Sequence, residues 1–139
     1  MSLYAESSAV LAWLLGEDQG AFVRHSLAAT SIVMASDLTL IECDRVLHRA
    51  AALGELTEAE AADRRAYLAS AAAHWHLIRI GPEVVDRARQ PFPGDPIRTL
   101  DAIHLATARS LDDLAGMVTY DTRLRRAATR SRLRVWSPA

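Results

Sequence analysis

The sequence predicts one three-layer α/β/α domain over residues 1–139, with a mostly parallel sheet of five strands. Short apolar stretches of strand length alternate along the chain with longer helical patterns, and this alternation is typical of a parallel sheet. Half of the residues are hydrophobic and 24% are charged, which is enough for one continuous core and argues against disorder. The predicted strands are short and mostly apolar, as expected for buried strands covered by helices on both faces.

The first half of the chain is expected to form two strands and four helices. The strands are predicted at residues 2–5 and 31–35, and the helices at residues 8–15, 17–28, 37–53 and 57–74. Gly16 is expected to close the first helix. Ser36 or Asp37 caps the third helix, and Thr57 and Glu60 have the spacing of a capping box for the fourth.

The second half of the chain is expected to form three strands and three helices. The strands are predicted at residues 77–80, 116–119 and 133–136, and the helices at residues 82–89, 99–111 and 121–129. The three prolines of residues 91–96 predict a rigid loop, because proline fits neither a helix interior nor a central strand. Thr99 is expected to be the N-cap of the helix that follows this loop.

Composition and cysteine usage argue against several classes of protein. The longest purely apolar run, residues 9–15, is far too short to span a membrane. The chain does not open with the basic and apolar pattern of a secretory signal. Cys43 is the single cysteine, so it has no internal disulfide partner, and we expect it to be buried and unreactive. These features predict a cytoplasmic protein that does not associate with membranes.

The net charge of −1 is uninformative about partners, but the positive charge is unevenly distributed. Every basic residue is an arginine, and residues 123–134 contain six arginines and no acid. This patch is interpreted either as a solvated helix face or as a surface that contacts phosphate.

Four acids are predicted to converge beyond the carboxyl ends of the strands, where open α/β sheets bind ligands. Glu6 follows the first strand and Asp121 follows the fourth. Asp101 lies in the first turn of a helix, and Glu42 lies one turn into the helix after the second strand. Converging carboxylates repel one another unless a cation compensates, and oxygen ligands favour Mg²⁺ or Mn²⁺. One or two such ions activate water and stabilise charge during hydrolysis of a phosphodiester.

Each acid also has a structural explanation, and spacing alone leaves the choice open. Asp121 is a good helix N-cap, and Asp101 suits the positive end of a helix dipole. Glu42 has arginines three and seven residues further along its own helix. Glu6 precedes two serines and would also suit the surface.

The residues around these acids resemble the PIN-domain ribonucleases, and in particular the VapC-type toxins of bacterial toxin–antitoxin pairs. The resemblance extends from the first strand to the last, and Asp-Ala-Ile-His-Leu-Ala-Thr-Ala is its most specific part. Four segments carry it in this order: Tyr4-Ala-Glu-Ser-Ser-Ala-Val10, Leu38-Thr-Leu-Ile-Glu42, Leu100-Asp-Ala-Ile-His-Leu-Ala-Thr-Ala108 and Val118-Thr-Tyr-Asp-Thr-Arg-Leu124.

The resemblance implies a Mg²⁺- or Mn²⁺-dependent endoribonuclease that is neutralised by a cognate antitoxin of the VapB type and forms a homodimer. It assigns the catalytic and metal-binding roles to the four acids and supporting roles to two hydroxyls. In this chain the acids are Glu6, Glu42, Asp101 and Asp121, and the hydroxyls are those of Ser7 and Thr119.

One position departs from the family, because its first acid is normally an aspartate and here it is Glu6. The extra methylene moves the carboxylate by roughly 1.5 Å, about one C–C bond. Mg²⁺ is strict about octahedral geometry, so a second hypothesis is a catalytically weakened PIN-like module that binds RNA or an antitoxin. A receiver-like phosphoryl-transfer domain is a third interpretation, disfavoured by the single acid after the first strand and by the absence of lysine.

Several residues beside the acids have two interpretations each. His104 lies one turn after Asp101 and is interpreted as a hydrogen-bonded structural group rather than a general base. Some arginines lie near the acids in sequence and are expected either to contact RNA or an antitoxin or to pair within their own helix; they are Arg45, Arg49, Arg98 and Arg123.

Overall fold

A computed structural model describes residues 1–94 and 96–136, and this part contains five strands and seven helices. The strands are β1 (Ser2–Ala5), β2 (Ile32–Ser36), β3 (His76–Ile78), β4 (Gly116–Val118) and β5 (Val135–Trp136). The helices are α1 (Ser7–Leu14), α2 (Gly20–Ala28), α3 (Asp37–Ala52), α4 (Glu58–Ala72), α5 (Pro82–Ala88), α6 (Thr99–Arg109) and α7 (Thr122–Arg130). Asp95 in the predicted rigid loop and residues 137–139 of the predicted domain lie outside the described residues.

The strands form one sheet in the order β3-β2-β1-β4-β5, and every described pair is parallel. The chain moves from β1 outward through β2 to β3, and it then returns to the other side of β1 for β4 and β5. The strand order therefore reverses beside β1, and in such sheets the ligand crevice lies at this point, beyond the carboxyl ends of the strands. Ala5 pairs with Val118, so β1 and β4 end side by side.

The two faces of the sheet are covered by different helices. Leu3 and Ala5 of β1 pack in one buried cluster with side chains of α1, α2, α3 and α4. Tyr4 points to the opposite face, where a second cluster contains side chains of α5, α6 and α7. Alternation along a single central strand thus builds both halves of the core. This is the predicted three-layer α/β/α architecture, with a sheet that is entirely parallel in the described residues.

Cys43 belongs to the first cluster and is completely buried with a free thiol. Burial raises the pKa of this thiol, which keeps it protonated and unreactive. The expectation of a buried, inert cysteine is therefore confirmed. No helix within residues 1–94 and 96–136 is long and apolar enough to span a bilayer.

Most helix ends lie where the capping signals predict them. The side chains of Ser36 and Thr57 cap α3 and α4, and the capping box of Thr57 with Glu60 is formed in both directions. Gly16, with φ of 69°, follows the end of α1. The N-cap of α6 is Arg98 rather than Thr99, because Arg98 already has the extended backbone of a cap. That correction makes Asp101 the third residue of α6.

The second helix begins three residues later than predicted, at Gly20. The close approach of α1 explains this start. A Cβ atom on Gly20 would lie 2.4 Å from the backbone oxygen of Ala12 and 2.8 Å from Cα of Trp13. Only glycine permits this contact, and α2 therefore packs tightly on the helix that follows β1.

The Gly20→Ala variant tests this contact. The added methyl group has to displace backbone atoms of α1, so we expect a loss of about 1–3 kcal/mol in the free energy of unfolding. Urea denaturation with unchanged m-values measures the loss. Gly81→Ala is the matched control, because Gly81 has open space within 4 Å of an added Cβ and is expected to change stability by less than about 0.5 kcal/mol. Equal effects of the two variants would contradict the steric explanation.

Candidate active site

The candidate site lies beyond the carboxyl ends of β1 and β4. Glu6 directly follows β1, and its backbone N–H donates to the carbonyl oxygen of Val118 at 3.0 Å. Thr119 and Asp121 follow β4 and therefore approach the same edge of the sheet. Parallel pairing thus brings together residues that are more than a hundred positions apart in sequence.

Glu6 is a buried acid, with 5% of its surface exposed, so the interpretation as a surface acid is wrong. Its Oε2 atom accepts from the backbone N–H of Ser8 at 3.1 Å, the Ser8 hydroxyl at 2.5 Å and the Thr119 hydroxyl at 2.7 Å. Through the first of these bonds Glu6 caps α1. Burial raises the pKa of Glu6 above its ordinary value, although these hydrogen bonds oppose the shift.

Glu42 approaches the site from α3 and accepts two hydrogen bonds on its Oε1 atom. Ser7 donates its hydroxyl at 2.7 Å, and Nε2 of His104 lies 2.6 Å away. Burial alone would raise the pKa of Glu42, but the bonds from His104 and Ser7 outweigh it and lower the pKa. Glu42 therefore contacts these two side chains, whereas Arg45 and Arg49 are exposed and form no ion pair within the described part of the chain.

His104 connects Glu42 to the core. The imidazole is 1% exposed, and its Nδ1 atom lies 2.7 Å from the hydroxyl of Tyr4, whose ring it meets edge-on. When the Tyr4 hydroxyl donates to Nδ1, the proton on Nε2 is donated to Glu42. The interpretation of His104 as a hydrogen-bonded structural group is confirmed. The sequence did not indicate that its partner is one of the four acids.

The donor atoms of Glu6, Glu42 and His104 are close enough to share one cation. Each of these residues offers one ligand atom, and these atoms lie within 4.8 Å of one another. In the described residues, Oε1 of Glu6 and Oε2 of Glu42 accept no hydrogen bond, so each carboxylate is fixed by one oxygen and keeps the other for a ligand. The carboxylate oxygens of this set fit a hard divalent ion, whereas Nε2 of His104 is already hydrogen-bonded to Glu42.

Asp101 and Asp121 lie outside that group of three but act on the same region. Burial raises the pKa of Asp101, and the negative charges of Asp121 and Glu42 raise it further, while Arg98 opposes them. Asp121 caps α7, with its Oδ1 atom 2.9 Å from the backbone nitrogen of Leu124. The capping interpretation of Asp121 is therefore confirmed. Its second carboxylate oxygen accepts no hydrogen bond from the described residues.

Ser8 links the two strand ends, a role that the sequence did not indicate. Its hydroxyl oxygen accepts from the backbone N–H groups of Tyr120 at 2.9 Å and Asp121 at 3.1 Å, while it donates to Glu6. The Thr119 hydroxyl also accepts from the backbone of Asp121 at 3.1 Å. Two hydroxyls thus hold the backbone of one acid against the carboxylate of another. The sequence signal was the serine pair after Glu6, of which only Ser7 was predicted to support the acids.

Comparisons with known proteins agree on one family. The sequence model of the PIN domain matches residues 3–130. Ribonuclease VapC46 from Mycobacterium tuberculosis is 35% identical over 139 residues, covering 99% of this chain and 98% of that protein. The structure of FitAcB from Neisseria gonorrhoeae has a TM-score of 0.72 at 18% identity, covering 98% of this chain and 96% of that chain. A toxin–antitoxin complex from Klebsiella pneumoniae has a TM-score of 0.63 at 20% identity, with coverages of 100% and 98%.

The role of His104 as a bridge is tested by His104→Ala. This change removes one hydrogen-bond partner from the buried Tyr4 hydroxyl and one from the Glu42 carboxylate and leaves a cavity in the core, and we expect a loss of about 3 kcal/mol in the free energy of unfolding. His104→Gln keeps a donor near the position of Nε2 and is expected to lose less. Chemical denaturation measures both losses. Equal losses would mean that a hydrogen-bond donor near the position of Nε2 contributes no measurable stability.

Proposed function

The chain belongs to the PIN domain family and is a ribonuclease of the VapC type, and on that premise we propose that its four converging acids hold divalent metal for RNA hydrolysis. The acids are Glu6, Glu42, Asp101 and Asp121. One observation carries the proposal. Glu6 and Glu42 each offer a ligand atom within 4.8 Å of the other, and the charges of Asp121 and Glu42 both raise the pKa of Asp101, as expected for acids that lie near one another.

The oxygen chemistry of the site favours Mg²⁺ or Mn²⁺ over softer metals. Nε2 of His104 is engaged with Glu42, which leaves carboxylate oxygens as the available ligands. When bound, such an ion lowers the pKa of a water molecule and neutralises charge that develops on the phosphodiester.

The protein's own groups prepare this site before any ion binds. Ser7 and His104 keep Glu42 ionised and oriented. Ser8 and Thr119 fix one oxygen of Glu6, and the other accepts no hydrogen bond from the described residues. Because Glu6 and Glu42 are each held through one oxygen, a ligand that arrives meets carboxylates whose positions are already set.

The glutamate at position 6 supports a second candidate function, a catalytically weakened module that binds RNA or an antitoxin. The observation in its favour is that one Glu6 oxygen is committed to capping α1 and to two hydroxyls. The same hydrogen bonds also favour an active enzyme. The longer side chain folds back onto Ser8, so the extra methylene is accommodated near the backbone. We therefore favour the active enzyme.

The partners of this ribonuclease are proposed from its relatives. A VapC-type enzyme and a toxin–antitoxin complex match essentially the full length of the chain, so the proposal includes RNA as substrate and a cognate VapB-type antitoxin as inhibitor. It also includes a homodimer that acts in the cytoplasm. The absence of a membrane-spanning helix among the described residues is compatible with that location.

Cleavage of RNA with Mg²⁺ or Mn²⁺ by the wild type and by Asp101→Asn tests the function. Changes to groups that merely support a metal ligand typically cost 10–100-fold, so loss of a ligand is expected to lower the cleavage rate by more than about 100-fold. Asp63→Asn, the same change at an exposed position of α4, is expected to leave the rate unchanged. EDTA is expected to stop cleavage.

Two outcomes would oppose this assignment. Cleavage that survives EDTA, or equal rates for the wild type and Asp101→Asn, would exclude the metal mechanism. A wild type that is inactive, together with a Glu6→Asp variant that is active, would favour the weakened binding module instead.

The pKa of Glu6 gives the site a predictable pH dependence. Because its pKa is raised, the folded protein keeps a proton on Glu6 where the unfolded chain has lost it. The free energy of unfolding of the metal-free protein therefore falls as the pH rises above the ordinary glutamate value of 4.5, and Asp101 acts in the same direction. A bound cation stabilises the ionised acids and offsets this loss.

We accordingly expect Mn²⁺ at saturating concentration to raise the melting temperature by about 5 °C at pH 8 and by much less at pH 5. Differential scanning fluorimetry with and without EDTA measures the shift. In Glu6→Gln both the stabilisation at pH 8 and its pH dependence should shrink. A metal shift of the same size at both pH values would contradict the protonation of Glu6 as its cause.

A further inference from the structure

A cavity lined by arginines lies beside the acidic site. It has a volume of about 470 Å³ and is lined by the segment before α6, the first turn of α6 and one face of α7. Asp101 is part of its lining, so the cavity adjoins the acids. Its other charged lining residues are all arginines: Arg98, Arg123, Arg126 and Arg130.

The helical repeat explains how α7 supplies three of these arginines. Arg123, Arg126 and Arg130 are spaced i, i+3 and i+7, which places them on one face of a helix. Over seven residues at 1.5 Å each, this row is about 10 Å long. Arg125 lies on the same helix and is equally exposed, but it is not among the residues that line the cavity.

Three of the arginines are available for a ligand. Arg98, Arg123 and Arg126 are exposed, and within residues 1–94 and 96–136 they form no ion pair or hydrogen bond through their side chains. Arg130 is used differently, because its Nη1 atom donates to the carbonyl oxygen of Gly94 at 3.3 Å and its side chain lies against that glycine. Arg130 therefore forms part of the cavity wall, whereas the other three guanidinium groups remain available for a ligand.

We propose that this cavity binds a backbone phosphate of the RNA strand that the acidic site cleaves, a role that rests on the proposed function. Guanidinium groups recognise phosphate oxygens with paired hydrogen bonds, and the apolar side chains of Ile97 and Ala127 in the lining suit the ribose. Since Asp101 borders both sites, the phosphate bound here belongs to a nucleotide close to the one that is cleaved. These contacts position the strand and do not read its bases.

RNA fits this surface better than an acidic peptide does. The three open guanidinium groups need negative charge beside the acidic site, and a nucleic acid strand carries one at every nucleotide whatever its sequence. A peptide carries carboxylates only where aspartate or glutamate occurs. The site would therefore hold many RNA sequences equally well.

Binding of a fluorescein-labelled oligouridine in EDTA tests the proposal, because EDTA separates binding from cleavage. We expect the double variant Arg123→Ala/Arg126→Ala to weaken binding by about 10–30-fold and to reduce the slope of log K against log salt by about 0.7, the contribution of one phosphate contact. Arg125→Ala, which removes one positive charge from the same helix outside the cavity, is expected to weaken binding by less than about 3-fold. The lysine double variant at positions 123 and 126 should keep the salt slope and lose part of the affinity.

Several outcomes would overturn the proposal. One is an equal loss of affinity and slope for the double variant and for Arg125→Ala, with both variants melting as the wild type does. Another is oligoglutamate that binds the wild type more tightly than the RNA and loses its binding in the same double variant, which would make the cavity a protein-binding site. Failure of the proposed function has a different result, namely RNA that is bound through these arginines but never cleaved with Mg²⁺ or Mn²⁺.

Discussion

The placement of several carboxylates at one edge of a parallel sheet is the constraint on which the rest of this structure depends. Each of these acids loses water on folding, and burial raises the pKa of both Glu6 and Asp101. The protein limits this cost with neutral donors. Ser7, Ser8 and Thr119 each give a hydroxyl hydrogen to a carboxylate oxygen of the site. The acids can therefore be buried at this position only because hydroxyl groups lie at the start of α1 and just after the end of β4.

The contact between His104 and Glu42 ties the two halves of the core to the site. Glu42 comes from α3 on one face of the sheet, whereas His104 comes from α6 on the other. Tyr4 of the central strand completes the connection. Because these three side chains form one continuous series of hydrogen bonds, a shift of either helical layer against the sheet would change the position of a carboxylate. The packing of the core therefore determines the geometry of the site.

The sequence predicted the features that depend on local patterns, but it did not predict those that depend on contacts between distant segments. Capping signals located α3, α4 and α7 nearly to the residue, and position after a strand identified Glu6 and Asp121. The start of α2 was missed because backbone contact at Gly20 sets it. The partner of Glu42 was missed because His104 is 62 positions away, and nothing within α3 distinguishes that pairing from one with a nearby arginine.

Helix α7 is capped by an acid and carries arginines along one face. Its first turn is capped by Asp121, where the positive end of the helix dipole favours an anion. One of its faces carries arginines, and those that line the cavity begin two residues after that cap. An RNA strand that crosses this helix would meet arginines beside the acids. The arginines attract the negative charge of the strand to the surface. Only the phosphate at the acidic site then requires a metal ion to offset repulsion from the carboxylates. One short helix therefore holds an acid of the site at its start and the arginines of the adjacent cavity along one face.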